Sequence, residues 1–185
     1  MAFRPILCIR IDEDTVLRIY EERHAQAVAE LVDQNRAYLR QWLPWVDDSR
    51  TVEDSRAFIR NSLEQFAQNE GFQTGIWYRD TLAGGIGYHQ IDWADRKVEI
   101  GYGLGESFQG KGLMTKACRT LITYALTELG LNKVEIHCAT ENIRSCAIPK
   151  RLGFTQEGIL RDAEWLYDHY VNLVVYGMLA REWPG

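Results

Sequence analysis

The chain has 185 residues, 46% of them hydrophobic and 25% charged, with a formal net charge of −5. That suffices for one globular domain with a substantial core, and the acidic balance argues against nucleic-acid binding as its main business while allowing a local basic pocket. No apolar run reaches membrane-spanning length, and the opening MAFRPILCIRIDEDTV lacks the long apolar stretch of a signal peptide and turns acidic early.

Two β-rich runs, Pro5 to Ile11 and Thr15 to Tyr20, flank Asp12-Glu13-Asp14 and predict a hairpin or a bent first strand. From His24 to Leu39 the apolar residues Ala27, Val28, Leu31, Val32 and Leu39 recur at helical spacing, and Pro44 then discourages helix at Leu43. Thr51 with Asp54 resembles a capping box opening a helix that continues through Phe58, Ile59, Leu63 and Phe66 to Gln68-Asn69-Glu70-Gly71. Three strands follow, Phe72 to Tyr78, Leu82 to Ile91 and Lys97 to Leu104, and read as an antiparallel meander. A helix over Leu113 to Leu129, stopped by Gly130, leads to a strand at Lys133 to Ala139. That strand–helix–strand step implies parallel pairing across it. A short helix over Asn142 to Leu152 and strands at Phe154 to Leu160 and Tyr170 to Leu179 complete the chain. No repeat or linker divides residues 1–185, so the expectation is one α+β domain built on a mixed, largely antiparallel sheet flanked by helices.

The stretch Gln109-Gly110-Lys111-Gly112-Leu113-Met114-Thr115 joins a strand to a helix. Glycines let the backbone approach a ligand closely. The unpaired N–H groups and the dipole at a helix start suit an anion, above all phosphate, and Lys111 adds charge. Gly105 to Gly112 nearly spells a phosphate loop of the nucleotide-binding type, but Gly112 stands where the magnesium-holding hydroxyl belongs. The other reading is a phosphate cradle for a cofactor that needs no metal. Cys8, Cys118, Cys138 and Cys146 show neither C-x-x-C nor zinc spacing and read as small hydrophobes in a reducing cytoplasm.

Downstream stand Asn142-Ile143-Arg144-Ser145, with Asn142 a plausible helix cap, and Leu152-Gly153-Phe154, a helix stop before a strand. With these in order after the glycine turn, the sequence resembles the GNAT superfamily of acetyl-CoA-dependent N-acetyltransferases. Gln109 and Gly112 match the cofactor signature, Met114 departing at its last place, and Asn142, Ser145 and Leu152-Gly153-Phe154 match the second signature. Within the superfamily the chain resembles the ribosomal-protein, RimL-like branch, on Leu39-Arg40-Gln41-Trp42-Leu43-Pro44-Trp45, Glu99-Ile100-Gly101-Tyr102 and Ala163-Glu164.

The resemblance implies a GNAT-type domain whose strand before the glycine turn splays from its neighbour. The free backbone of Tyr102, Gly103 and Leu104 would bind pantetheine as an added strand. Gly110, Lys111, Gly112, Leu113, Met114 and Thr115 would hold the pyrophosphate, and Asn142 the pantetheine or the thioester. The implied reaction is direct attack of an amine on acetyl-CoA in a ternary complex, with no metal. It needs a base, an oxyanion donor and a partner for the leaving thiolate.

For the thiolate, Ser145 matches the hydroxyl of the RimL-like branch, and no tyrosine lies between Ala125 and Tyr167 to replace it. Pro149 cannot donate to the Ser145 carbonyl, so the short helix is expected to kink or start late. Glu164, favoured by the resemblance, and Glu99 are the base candidates, His89 a third; a backbone N–H near Leu104 would hold the oxyanion. Cys146 has only proximity to support a covalent route. Trp42 and Trp45, with Asp47-Asp48, offer an acceptor cleft or simply pack two helices; Trp165, Tyr167 and Tyr170 could cover that cleft from the other side. The expected acceptor is a protein N-terminus, with small amines, polyamines, a non-catalytic acyl-CoA sensor and a nucleotide enzyme as alternatives. A homodimer sharing the acceptor groove would suit the family.

Overall fold

The computed structural model describes residues 7–185; Pro5 and Ile6, the start of the expected first strand, lie outside the described residues. One eight-stranded sheet runs in the order β1-β2-β3-β4-β5-β6-β8-β7. β1 (Cys8–Arg10) and β2 (Thr15–Ile19) form the expected hairpin, followed by β3 (Phe72–Tyr78), β4 (Thr81–Tyr88) and β5 (Lys97–Leu104) in an antiparallel meander. Arg79 and Asp80 both adopt positive φ, 49° and 59°, as a two-residue turn matched to strand twist requires. β6 (Lys133–Ala139) pairs in parallel with β5, and β7 (Thr155–Leu166) with β8 (His169–Leu179) closes the sheet as an antiparallel hairpin. β7 runs six residues beyond the expected Leu160, because register shifts at Gln156/Gly158 and Leu160/Glu164 let the ladder resume after each irregularity.

The helix expected over His24 to Leu39 is broken. α1 (Ala25–Gln34) and α2 (Arg36–Leu39) meet at Asn35, whose φ of −118° leaves the helical region. The Asn35 amide donates to the Leu31 carbonyl at 2.8 Å and accepts from the Glu106 N–H at 2.8 Å. The break thereby ties the first helices to the loop after β5. α3 (Val52–Ala67) begins on the expected capping box, with the Asp54 N–H donating to Thr51 Oγ1 and the Thr51 N–H to Asp54 Oδ2.

α4 (Leu113–Thr123) buries Leu113, Met114, Ala117, Cys118, Leu121 and Ile122 against one face of the sheet. The buried Tyr88 hydroxyl donates to the Leu121 carbonyl and pins α4 to β4. A π turn over Tyr124–Glu128 extends it to Gly130, which ends the element at φ 64°. α1 and α3 cover the other face through Tyr20, Val28, Ile59 and Leu82. α5 (Ile143–Arg151) sits beside β6 and runs through Pro149.

Candidate active site

The site follows from a break in the ladder between β5 and β6. Only Lys97, Val98 and Glu99 pair with Lys133, Val134 and Glu135. β5 continues to pair with β4 as far as Leu104. Residues 100 to 104 therefore keep one backbone edge free of any strand, the condition under which an extended ligand can add to a sheet. A groove of roughly 970 Å³ opens there, lined by Tyr102, Gly103 and Leu104, by the turn from Gln109 to Lys116 without Lys111, by Asn142 before α5 and Arg144, Ser145 and Arg151 on it, and by Tyr38, Trp42 and Leu43. A second basin of about 470 Å³ beside the β1–β2 hairpin contains none of the predicted site residues.

Gly110 and Gly112 both sit at φ 73°, a left-handed conformation that side-chain residues adopt at a cost. Nothing lies within 4 Å of where their Cβ atoms would be. Met114, the departure from the signature, is buried in the main core beneath the turn. Lys111 turns away, its Nζ donating to the Ser107 carbonyl at 3.0 Å. Two arginines that sequence reasoning passed over hold the turn instead. Arg144 donates to Gln109 Oε1 at 2.6 Å and Arg151 to Thr115 Oγ1 at 2.8 Å. Their spacing of seven on a short helix packed against the glycine turn was the signal that could have found them.

Asn142 caps α5, its Oδ1 accepting from the Ser145 N–H at 3.1 Å. The late start expected from Pro149 does not occur. Pro149 does leave the Ser145 carbonyl without its helical donor, and the Tyr102 hydroxyl takes that place at 3.2 Å. Ser145 Oγ in turn donates to Tyr102 Oη and contacts Cys138 Sγ, both at 3.1 Å. The helix supplies no tyrosine, but β5 brings one to the same hydroxyl. Burial pushes the Tyr102 phenol well above its ordinary range and the Cys138 thiol up to about 11, so both remain neutral partners of Ser145.

The carboxylates lie on the opposite face of the split. Val98 and Ile100 point into the core under α4, so alternation puts Glu99, Gly101 and Gly103 on the other side. There Glu99 Oε1 lies 3.5 Å from His89 Nδ1 and Oε2 lies 3.3 Å from His137 Nδ1. Glu164 stands on the long extension of β7, opposite Val171, where its charge and those of Glu99 and His89 act on one another. Burial, followed by the charge of Glu99, raises the Glu164 pKa, and the charge of His89 opposes that rise. Leu43 covers Gly103, 3.4 Å from where its Cβ would be.

The aromatic residues divide. Trp42 lines the groove; Trp45 is half exposed and outside its lining. Tyr167 donates to the Leu43 carbonyl at 2.5 Å, and Arg40 stacks on its ring at 3.8 Å. Trp165 and Tyr170 stack edge to face on the exposed β7–β8 ribbon. Two faces of one split strand thus present a hydroxyl pair on one side and carboxylates with imidazoles on the other.

Comparison with known proteins gives concordant results. The family model for the acetyltransferase (GNAT) domain matches residues 14–155. YdaF of Bacillus subtilis (strain 168), provisionally named a ribosomal N-acetyltransferase, is 39% identical over 177 residues, 95% of this chain and 97% of its own. The ribosomal-protein-serine acetyltransferase of Escherichia coli (strain K12) is 29% identical over 171 residues, 92% of this chain and 96% of its own. A solved structure of RimL, a ribosomal L7/L12 alpha-N-protein acetyltransferase in complex with coenzyme A, which forms a disulfide with a cysteine there, superposes with a TM-score of 0.90. It is 28% identical and covers 94% of this chain and 98% of its own.

Proposed function

The chain belongs to the GNAT acetyltransferase family as a RimL-like N-acetyltransferase, and on that premise we propose that it acetylates the N-terminal α-amine of a ribosomal protein. The observation that carries the reading is the open edge of β5 past Glu99, with a phosphate cradle at one end and Ser145 beside it. Pantetheine adds as a strand to Tyr102, Gly103 and Leu104, and the pyrophosphate rests on the N–H groups from Gly110 to Thr115. Arg144 and Arg151 border that cradle. Asn142 fixes the start of the helix that presents Ser145.

The amine enters from the Glu99 face, past Trp42 and Leu43, and attacks the acetyl carbonyl within the ternary complex. A backbone N–H near Leu104 receives the oxyanion, Glu164 takes the amine's proton, and the thiolate leaves toward the Ser145 hydroxyl. Residues 1–185 work as one domain, in the cytoplasm where ribosomal proteins are made. The names of the relatives support a protein N-terminus as acceptor over a small amine.

Calorimetric titration with acetyl-CoA, with magnesium-ATP as control, tests the cofactor. Acetyl-CoA alone should bind saturably; no binding by the folded protein would overturn the reading. Ser145→Ala should retain acetyl-CoA affinity within about twofold while transfer to a serine-terminated peptide falls on the order of a hundredfold. An undiminished rate would remove Ser145 from the reaction.

A further inference from the structure

His89 follows β4 directly, and its N–H donates to the Glu99 carbonyl at 3.0 Å. Its imidazole lies across β5. A Cβ built at Gly101 would stand 2.4 Å from His89 Nε2 and 3.0 Å from Cε1, so glycine at 101 is what makes room for the ring. With Nδ1 toward Glu99, Nε2 is left over the strand, one residue short of Tyr102, where the pantetheine edge begins. A carboxylate on one ring nitrogen fixes which nitrogen carries the proton and which keeps the lone pair.

Glu99 is itself held from both sides. His137 from β6 approaches its second oxygen, and His137 Nε2 stands 3.5 Å from Glu135 Oε2 without forming a hydrogen bond among the described residues. The Glu99 carboxylate cannot swing away from His89 without abandoning His137. Glu99 from β5 stands against His89, the charge of Glu164 from β7 also acts on it, and His137 and Glu135 of β6 lie one contact further on. The His89 side chain is 54% exposed, so one end of this chain of groups touches water.

We propose that His89, oriented by Glu99 and steadied through it by His137, takes the amine's proton from Glu164 and releases it to solvent. The inference rests on the acetyl transfer proposed above. As the C–N bond forms and the C–S bond breaks, the extra proton on nitrogen passes to the Glu164 carboxylate. From the resulting acid it passes by way of water to His89 Nε2, and the imidazolium gives it to solvent, leaving Glu164 ionised for the next turnover. The thiolate departs on the other face, hydrogen-bonded by Ser145, so the two proton paths do not cross. The electrostatics agree: the Glu99 carboxylate beside the ring, with the charge of Glu164, holds the His89 pKa above the ordinary histidine value against the effect of burial.

The test uses the full chain, acetyl-CoA, a peptide with a free N-terminal serine, and detection of released thiol. His89→Ala should lower kcat by about ten- to a hundredfold, the range of a lost proton-transfer group. KM for acetyl-CoA should stay within about twofold, showing that the cofactor site is intact. Added imidazole should restore rate, because the vacated space opens to water. His89→Gln, which can still donate to Glu99, should be as slow as His89→Ala, and its kcat should reach its plateau at lower pH than the wild type. Gly101→Ala, which displaces the ring, should reproduce the loss. If His89→Gln keeps wild-type kcat and pH profile while Glu164→Gln is inactive, the relay is overturned and the acetyl-transfer reading stands. A slow His89→Ala that imidazole does not restore overturns it as well. Wild-type protein that transfers acetyl to no primary amine overturns both, and that is read before any variant is made.

Discussion

At the scale of single residues, the most consequential exchange joins Pro149, Ser145 and Tyr102. Proline removes one helical hydrogen bond, and a phenol from another element replaces it. Tyr102→Phe should therefore leave the Ser145 carbonyl unpaired and cost about 1–2 kcal/mol of stability, read by chemical denaturation. It should also lower kcat by loosening Ser145. Adding Pro149→Ala restores a backbone donor and should return part of the lost stability; strict additivity of the two changes would show that they do not share that carbonyl. The residues of this exchange were legible one by one, Ser145 from its motif and Pro149 from its ring. Their meeting with Tyr102 was not, because 43 residues separate the tyrosine from the serine and no local pattern encodes that contact.

At the scale of elements, the glycine turn and α4 show what local rules reach. Two glycines at a helix start announce positive φ and exposed N–H groups, and both appear at φ 73°. Gly112→Ala places a Cβ in open space but strains the backbone by about 1–2 kcal/mol. Acetyl-CoA affinity should fall about tenfold as the cradle shifts, while Gly130→Ala, at the far end of the same helix, should cost comparable stability and leave affinity unchanged. Equal affinities in the two variants would argue against the turn as the phosphate site. Elsewhere local rules ran out. Periodicity continued through Asn35, yet the helix breaks there because the Asn35 side chain finds a better partner in the Glu106 N–H. β7 runs past its expected end because its irregularities interrupt the alternation on which strand recognition depends.

At the scale of the molecule, the sheet is two ladders joined by three residue pairs between β5 and β6. Core packing under α4 spans both parts, but past Glu99 the edge of β5 pairs with no strand. Acetyl-CoA at a hundred times its dissociation constant should stabilise the fold by about 2.7 kcal/mol, raising Tm by roughly 5–10 °C for a chain of this size. Amide exchange should slow at residues 100 to 104 above all. Protection confined to the glycine turn would mean that pantetheine does not add to β5.

The sequence by itself determined the meander, the helix after the glycine turn, the parallel step across it and the left-handed glycines of that turn, because each rests on periodicity, glycine or capping within a few residues. It also placed Ser145, Asn142, Glu99 and Glu164 as residues to watch. Only the tertiary structure decided that β5 and β6 part after Glu99, that Tyr102 meets Ser145 on one face of the split, and that His89 and His137 grip Glu99 on the other. Those facts depend on strand register and on side-chain alternation across separate elements, and both are set only when distant segments pack.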